Sequence, residues 1–106
     1  HVPALRASNA LYEAQERWPD LLDSLRALLD ADIEQEERLS LLHRLGEVQE
    51  TKLDAPMEAF ESYREVFRLE PSRELSVQAL LRLCEVEECR LLVVELLEPF
   101  FEAAER

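Results

Sequence analysis

Glycine is almost missing from this chain, with Gly46 alone among 106 residues. Tight β-turns call on glycine wherever φ turns positive, so a hairpin-rich β fold is poorly supplied. Alternation of apolar and polar residues is not sustained anywhere, and the chain reads as all-α. A lone glycine also leaves no phosphate-cradling loop. Histidine occurs only as His1 and His43, with no H-E-x-x-H. Cys84 and Cys89 have four residues between them. That spacing is neither a C-x-x-C redox motif nor half of a paired zinc site. Both read as small buried apolar residues. The longest apolar run, "LLVVELLEPFF" over 91–101, is broken by Glu95, Glu98 and Pro99 and is too short to span a bilayer.

Basic charge is scarce too: 12 Lys and Arg stand against 24 Asp and Glu, a formal charge of −12. Such a surface repels phosphate backbones and anionic lipid, which argues against nucleic acid and membrane as partners. Basic proteins or peptides would be attracted, more weakly as salt rises. The plainer reading is that acidic helix faces maintain solubility. An apolar fraction of 47% is that of a globular chain, and the length suits one domain over 1–106 or a short run of repeats.

Helical punctuation divides the chain into about six segments. The first covers residues 3–16, with Leu5, Leu11 and Tyr12 on one side. "WPD" at 18–20 interrupts it and opens a second helix whose Leu21, Leu22, Leu25, Leu28 and Leu29 form an i, i+3, i+4, i+7, i+8 stripe. The third covers 33–53, with Leu39, Leu42, Leu45 and Val48 recurring. Asp54 is placed to cap the fourth, with Pro56 in its first turn. Ser72 is placed to cap the fifth, whose apolar side includes Leu75, Leu80, Leu83 and Cys84. "EVEEC" separates it from a sixth, beginning near Arg90. Links of a few residues favour antiparallel neighbours, and no helix of this length could bury its stripe alone.

In the fourth segment Ala59, Tyr63, Val66 and Pro71 follow one another at spacings of four, three and five. The first three share a helix face: a small residue admits a close partner, and the larger two fill the space beside it. Pro71 stops the helix from running on. Upstream, "LHRLG" places Leu42, Leu45 and Gly46 ahead of Gln49. Together these positions resemble the tetratricopeptide repeat, which has a large residue and Leu-Gly on its first helix, then Ala, aromatic, Ala and Pro. Leu42 stands where the family has Trp, Gln49 where it has Tyr, and Val66 where it has the second Ala. The frame continues as Leu5, Ser8, Asn9, Tyr12, Leu21, Leu25 and Leu28 on one side, and as Val77, Leu80, Leu81, Cys84, Val93, Leu97 and Phe100 on the other. Approximate repeats are 2–38, 39–73 and 74–106, close to the family's period of about 34 residues. Only the middle repeat keeps both the Gly and the Pro. The start at His1, and the echo of "LYEAQER" (11–17) in "FFEAAER" (100–106), read as a piece of a longer array.

The resemblance implies a right-handed stack of antiparallel helical hairpins, an α-solenoid, with a groove lined by the first helix of each hairpin. It maps groove slots to Arg6, Ala10, Glu13 and Ala14 in the first hairpin. The second has His43, Glu47, Glu50 and Thr51, and the third Gln78, Arg82, Glu85 and Val86. Four Glu against two Arg make that groove mildly acidic, suited to a Lys- or Arg-bearing segment. The family's carboxylate clamp needs Lys and Asn where Ala10, His43 and Glu47 stand, so it is absent. His43 would add a pH response if its neighbours raise its pKa. No catalytic residue, cofactor or metal is assigned, and acidic pairs such as Glu61 and Glu65 read as a solvated helix face. The leading expectation is a non-catalytic protein-interaction scaffold. The alternatives are a structural spacer or oligomerisation element, and the helical regulatory domain of a larger enzyme. Self-association is placed at the last helix, on Leu96, Leu97, Phe100 and Phe101.

Overall fold

Three helices open on a proline, whose fixed φ suits a first turn and whose missing N–H is not needed there. Pro3 is the second residue of α1 (Val2–Ala14), Pro19 the second of α2 (Trp18–Leu29) and Pro56 the first of α4 (Pro56–Leu69). The remaining helices are α3 (Gln35–Thr51), α5 (Glu74–Leu83) and α6 (Glu87–Ala104). These six helices and the short links between them account for the whole chain in a computed structural model covering residues 1–106, and no strand is present.

Two caps expected from the sequence are not formed. Asp54 takes a left-handed backbone (φ 49°), and Ala55 becomes the N-cap of α4. Short polar residues tolerate that conformation better than most, which lets Asp54 serve as the turn in place of glycine. The turn closes through the backbone, Ala55 N donating to Gln49 O at 2.8 Å and Leu53 N to Val48 O at 3.1 Å. Ser72 likewise gives way to Arg73, which precedes α5 without a side-chain cap. The sixth helix starts at Glu87 rather than near Arg90, because Cys89 is fully buried and belongs to the apolar face. Pro99 lies inside α6 without ending it.

Each helix packs on the next in sequence, and α4 also packs on α6. The larger core lies among α4, α5 and α6, where Ala59, Phe60, Tyr63 and Phe67 meet Ala79, Leu80, Leu83, Cys89, Val93 and Leu97. A smaller cluster joins Leu21 and Leu25 of α2 to Leu45 and Val48 of α3. Ala59, Tyr63 and Val66 are all sealed from solvent. Outside these cores, α1 buries no residue, and Leu11 and Leu75, expected on apolar sides, are exposed. The molecule is elongated, with extents of 46 × 28 × 17 Å. Its two ends are separate, since α1 and α6 form no packed pair.

Candidate functional site

Several side chains mapped to the groove form ion pairs across helices. Arg6 of α1 donates to both oxygens of Glu37 on α3, at 2.8 and 2.6 Å. Arg44 of α3 grips both oxygens of Glu13 on α1, with Nε 2.9 Å from Oε1. Further along the chain, Arg82 of α5 takes both oxygens of Glu50 on α3, at 2.8 and 2.7 Å. The partners lie 31, 31 and 32 residues apart. At the start of α5, Arg73 reaches back to Glu36 at 2.7 Å and to Glu70 at 2.8 Å. Bidentate geometry fixes direction as well as distance, so these pairs hold α1, α3 and α5 in register.

Glu50 is the best-connected member. Besides Arg82 it accepts from the Tyr63 hydroxyl at 2.8 Å, which ties the α3–α5 contact to the core of α4. The Arg82 guanidinium, more than the tyrosine, holds the Glu50 carboxyl below the usual range against the opposing effect of burial. Burial first, then donation to Glu50, raises Tyr63. The Tyr63 ring also lies against Gly46, where an added Cβ would fall 2.5 Å from Cε1. The absent side chain makes room for the ring.

His43 sits half-buried over that ring, at 5.3 Å between centroids and tilted by 47°. Its Nε2 is 3.8 Å from Glu47. Burial lowers its pKa, and the pull of Glu47 in the other direction is smaller; Arg82 and Arg73 add to the lowering. The pH response conditional on a raised pKa therefore has its sign reversed. A half-desolvated imidazole disfavours its charged form.

Gln49 is buried between α3 and α4. With its amide nitrogen turned inward it donates to Ser62 Oγ at 2.6 Å, Glu58 O at 3.1 Å and Leu45 O at 3.3 Å. Of the other repeat positions, Leu45 is buried, Leu42 is half-buried and Pro71 lies exposed in the turn after α4. Gln78 donates to Glu74 of its own helix at 3.1 Å. Glu85 is exposed and has no ion-pair partner, only its carbonyl accepting from Arg90 at 3.5 Å.

The partners Glu36, Glu37, Arg44 and Arg73 went unassigned in the sequence, although opposite charges about one repeat apart were visible there. Their pairing changes what the surface offers. Arg6, Glu13, Glu50 and Arg82 each have an ion-pair partner, Glu47 lies 3.4 Å from Arg44, and of the mapped charges Glu85 alone has none. No group of three His, Cys, Asp or Glu side chains is placed to hold a metal ion.

Two clefts open elsewhere. One of about 280 Å³ lies between α5 and α6 and is mostly apolar, with Leu81, Cys84, Val94, Leu97 and Phe101 in its walls. The other, about 240 Å³, is polar and lies among α2, α3 and α4, where Arg26 faces Glu58, Glu61 and Glu65. Set against family models, curated proteins and solved structures, the chain finds no match in any of the three.

Proposed function

We propose that this chain is a non-catalytic protein-interaction scaffold: a right-handed stack of three antiparallel hairpins of the tetratricopeptide kind. It holds a peptide or protein segment on the surface formed by α1, α3 and α5. The reading is carried by the guanidinium–carboxylate pairs that join α1 to α3 and α3 to α5 at separations of 31 and 32 residues. Ion pairs that recur near one repeat length are what a row of first helices would give, and they support this reading. Burial of Ala59, Tyr63 and Val66, with the Tyr63 ring against Gly46, supports the same arrangement.

Because most groove charges are internally paired, Glu47 with Arg44 at 3.4 Å among them, preference for a basic segment rests mainly on Glu85, with His43 and Gln78 as hydrogen-bonding groups. Shape along the three helices then contributes more than charge. The test is a titration of isotope-labelled chain with unstructured peptides of matched length bearing Lys/Arg, neutral or Glu side chains. Amide shifts centred on His43, Glu47 and Gln78, largest for the basic peptide and reduced by salt, are expected. Absence of shifts on α1, α3 and α5 with every peptide refutes the reading.

A further inference from the structure

The polar cleft among α2, α3 and α4 collects three groups that the fold leaves without partners. Gln49 lines it while only 3% exposed, and with its amide nitrogen turned inward its carbonyl oxygen meets no protein donor. Buried carbonyl groups are nearly always hydrogen-bonded, so an orphan in a cleft wall marks a place where something from outside donates. Water can satisfy that oxygen, but it does not account for the charges around it. Arg26, contributed by α2, forms no ion pair and donates no side-chain hydrogen bond; apart from Arg106 at the last position, every other arginine donates one. Glu58, contributed by α4, has no ion-pair partner either. Glu61 and Glu65 follow it at i+3 and i+7 on the same side of α4, and these two are paired with Arg64 and Arg68. All of the lining lies between Arg26 and Glu65, away from both ends of the chain.

We infer that this cleft binds a free basic amino acid, lysine or arginine, as a small-molecule ligand. Its carboxylate pairs with Arg26, its cationic side chain pairs with Glu58, and one of its N–H groups donates to the Gln49 oxygen. Leu42 and Leu45 supply apolar surface for the aliphatic stem. Size limits the occupant: about 240 Å³ is the volume of about eight waters, which suits a single amino acid and falls below drug-sized sites. Charge selects it. Three Glu against one Arg in the lining favour a ligand with one more positive than negative charge. A diamine or polyamine would set a like charge against Arg26, and a neutral amino acid would leave Glu58 without a counter-charge. The carboxylates do not gather closely enough to hold a metal ion. The cleft shares no residue with the mapped groove, and the inference does not rest on the stacked-hairpin reading.

Isotope-labelled full chain is titrated with L-lysine, and with norleucine and cadaverine, which lack its side-chain ammonium and its carboxylate respectively. Lysine should shift the Gln49 side-chain amide and the backbone amides of Glu58 and Ser62 saturably. Each analogue should bind about three- to tenfold more weakly, the loss of one charge-assisted bond. Arg26→Gln should erase the margin of lysine over cadaverine, and Glu58→Gln the margin of lysine over norleucine. Both positions are exposed, and an unchanged circular dichroism spectrum shows that each variant is folded. Cadaverine or spermidine binding as tightly as lysine overturns the proposal, since an acidic helix face alone would do that. So does a lysine affinity indifferent to Arg26→Gln, or no saturable shift by about 10 mM. Tighter binding of the tripeptide Gly-Gly-Lys than of lysine overturns the free amino acid as occupant, the carboxylate then belonging to a chain terminus. Shifts confined to His43, Glu47 and Gln78 overturn this site while leaving the groove reading intact.

Discussion

At the scale of single residues, the contact between Gly46 and Tyr63 sets how closely α3 and α4 approach. The ring cannot retreat easily, because its hydroxyl is held on Glu50 and the side chain is fully buried. Gly46→Ala should therefore lower stability despite a helix-propensity gain of about 1 kcal/mol, since overpacking costs roughly 1 to 3 kcal/mol. Chemical denaturation checks this, and a double-mutant cycle sharpens it: in a Tyr63→Leu background the same substitution should become neutral or stabilising. His43 gives a second prediction. Its folded pKa lies below the usual 6.5, so near and just below that pH the unfolded chain binds more protons than the folded one. Stability should fall as pH drops from about 7 toward 5, and His43→Gln should remove that step. Glu50 acts with the same sign at lower pH, because Arg82 lowers its folded pKa: its contribution is present above the ordinary carboxylate range and is lost on acidification through the depressed value. Melting curves taken against pH, with and without His43, separate the two.

Among the helices, α4 shows what could be read in advance and α6 what could not. The Ala59, Tyr63 and Val66 face was legible because spacing and side-chain size agreed, and all three are buried. Helix number and order were legible from the prolines and the leucine stripes. The ends were not. A cap depends on the backbone conformation adopted at one residue, and at Asp54 a left-handed turn displaced the side-chain bond that its residue type favours. In α6 the apolar residues surround the helix, so periodicity left the inward side ambiguous. Leu97 turns inward, Phe100 packs on Phe67 at 5.2 Å, and of the four expected at a self-association surface only Phe101 is exposed, at 41%. The pairing of Glu13 with Arg44 and of Glu50 with Arg82 was not legible, because it follows from the approach of separate helices. Pro99 yields the prediction at this scale. It lacks an N–H for the turn before it and is exposed, so nothing in the core depends on its ring. Pro99→Ala should stabilise the protein by about 1 to 3 kcal/mol, read as a higher melting temperature and slower amide exchange over the second half of α6.

Over the whole molecule, two electrostatic effects of opposite sign compete. The ion pairs between α1, α3 and α5 favour the folded state and weaken as salt rises, while a formal charge of −12 opposes compaction and is relieved by salt. Magnitudes decide between them. Arg6 and Arg82 are each about half exposed, and pairs of that kind contribute roughly 0 to 1 kcal/mol. Five of the uncompensated carboxylates share one helix. Glu87, Glu88, Glu95, Glu98 and Glu102 lie on α6 with Arg90 as the one basic residue of that helix. With a Debye length of about 10 Å at 0.1 M salt and a long axis of 46 Å, repulsion at this end is local and is not offset by the paired charges at the other. Raising sodium chloride from about 10 mM to about 0.5 M should therefore raise the melting temperature, with self-repulsion outweighing the pairs. Hydrogen exchange should show the gain mainly in α5 and α6, while α1, tied to α3 through Arg6 and Glu13 and burying nothing of its own, loses protection over the same range. A uniform response along the chain, or a melting temperature that falls, would show instead that the pairs dominate the charge balance.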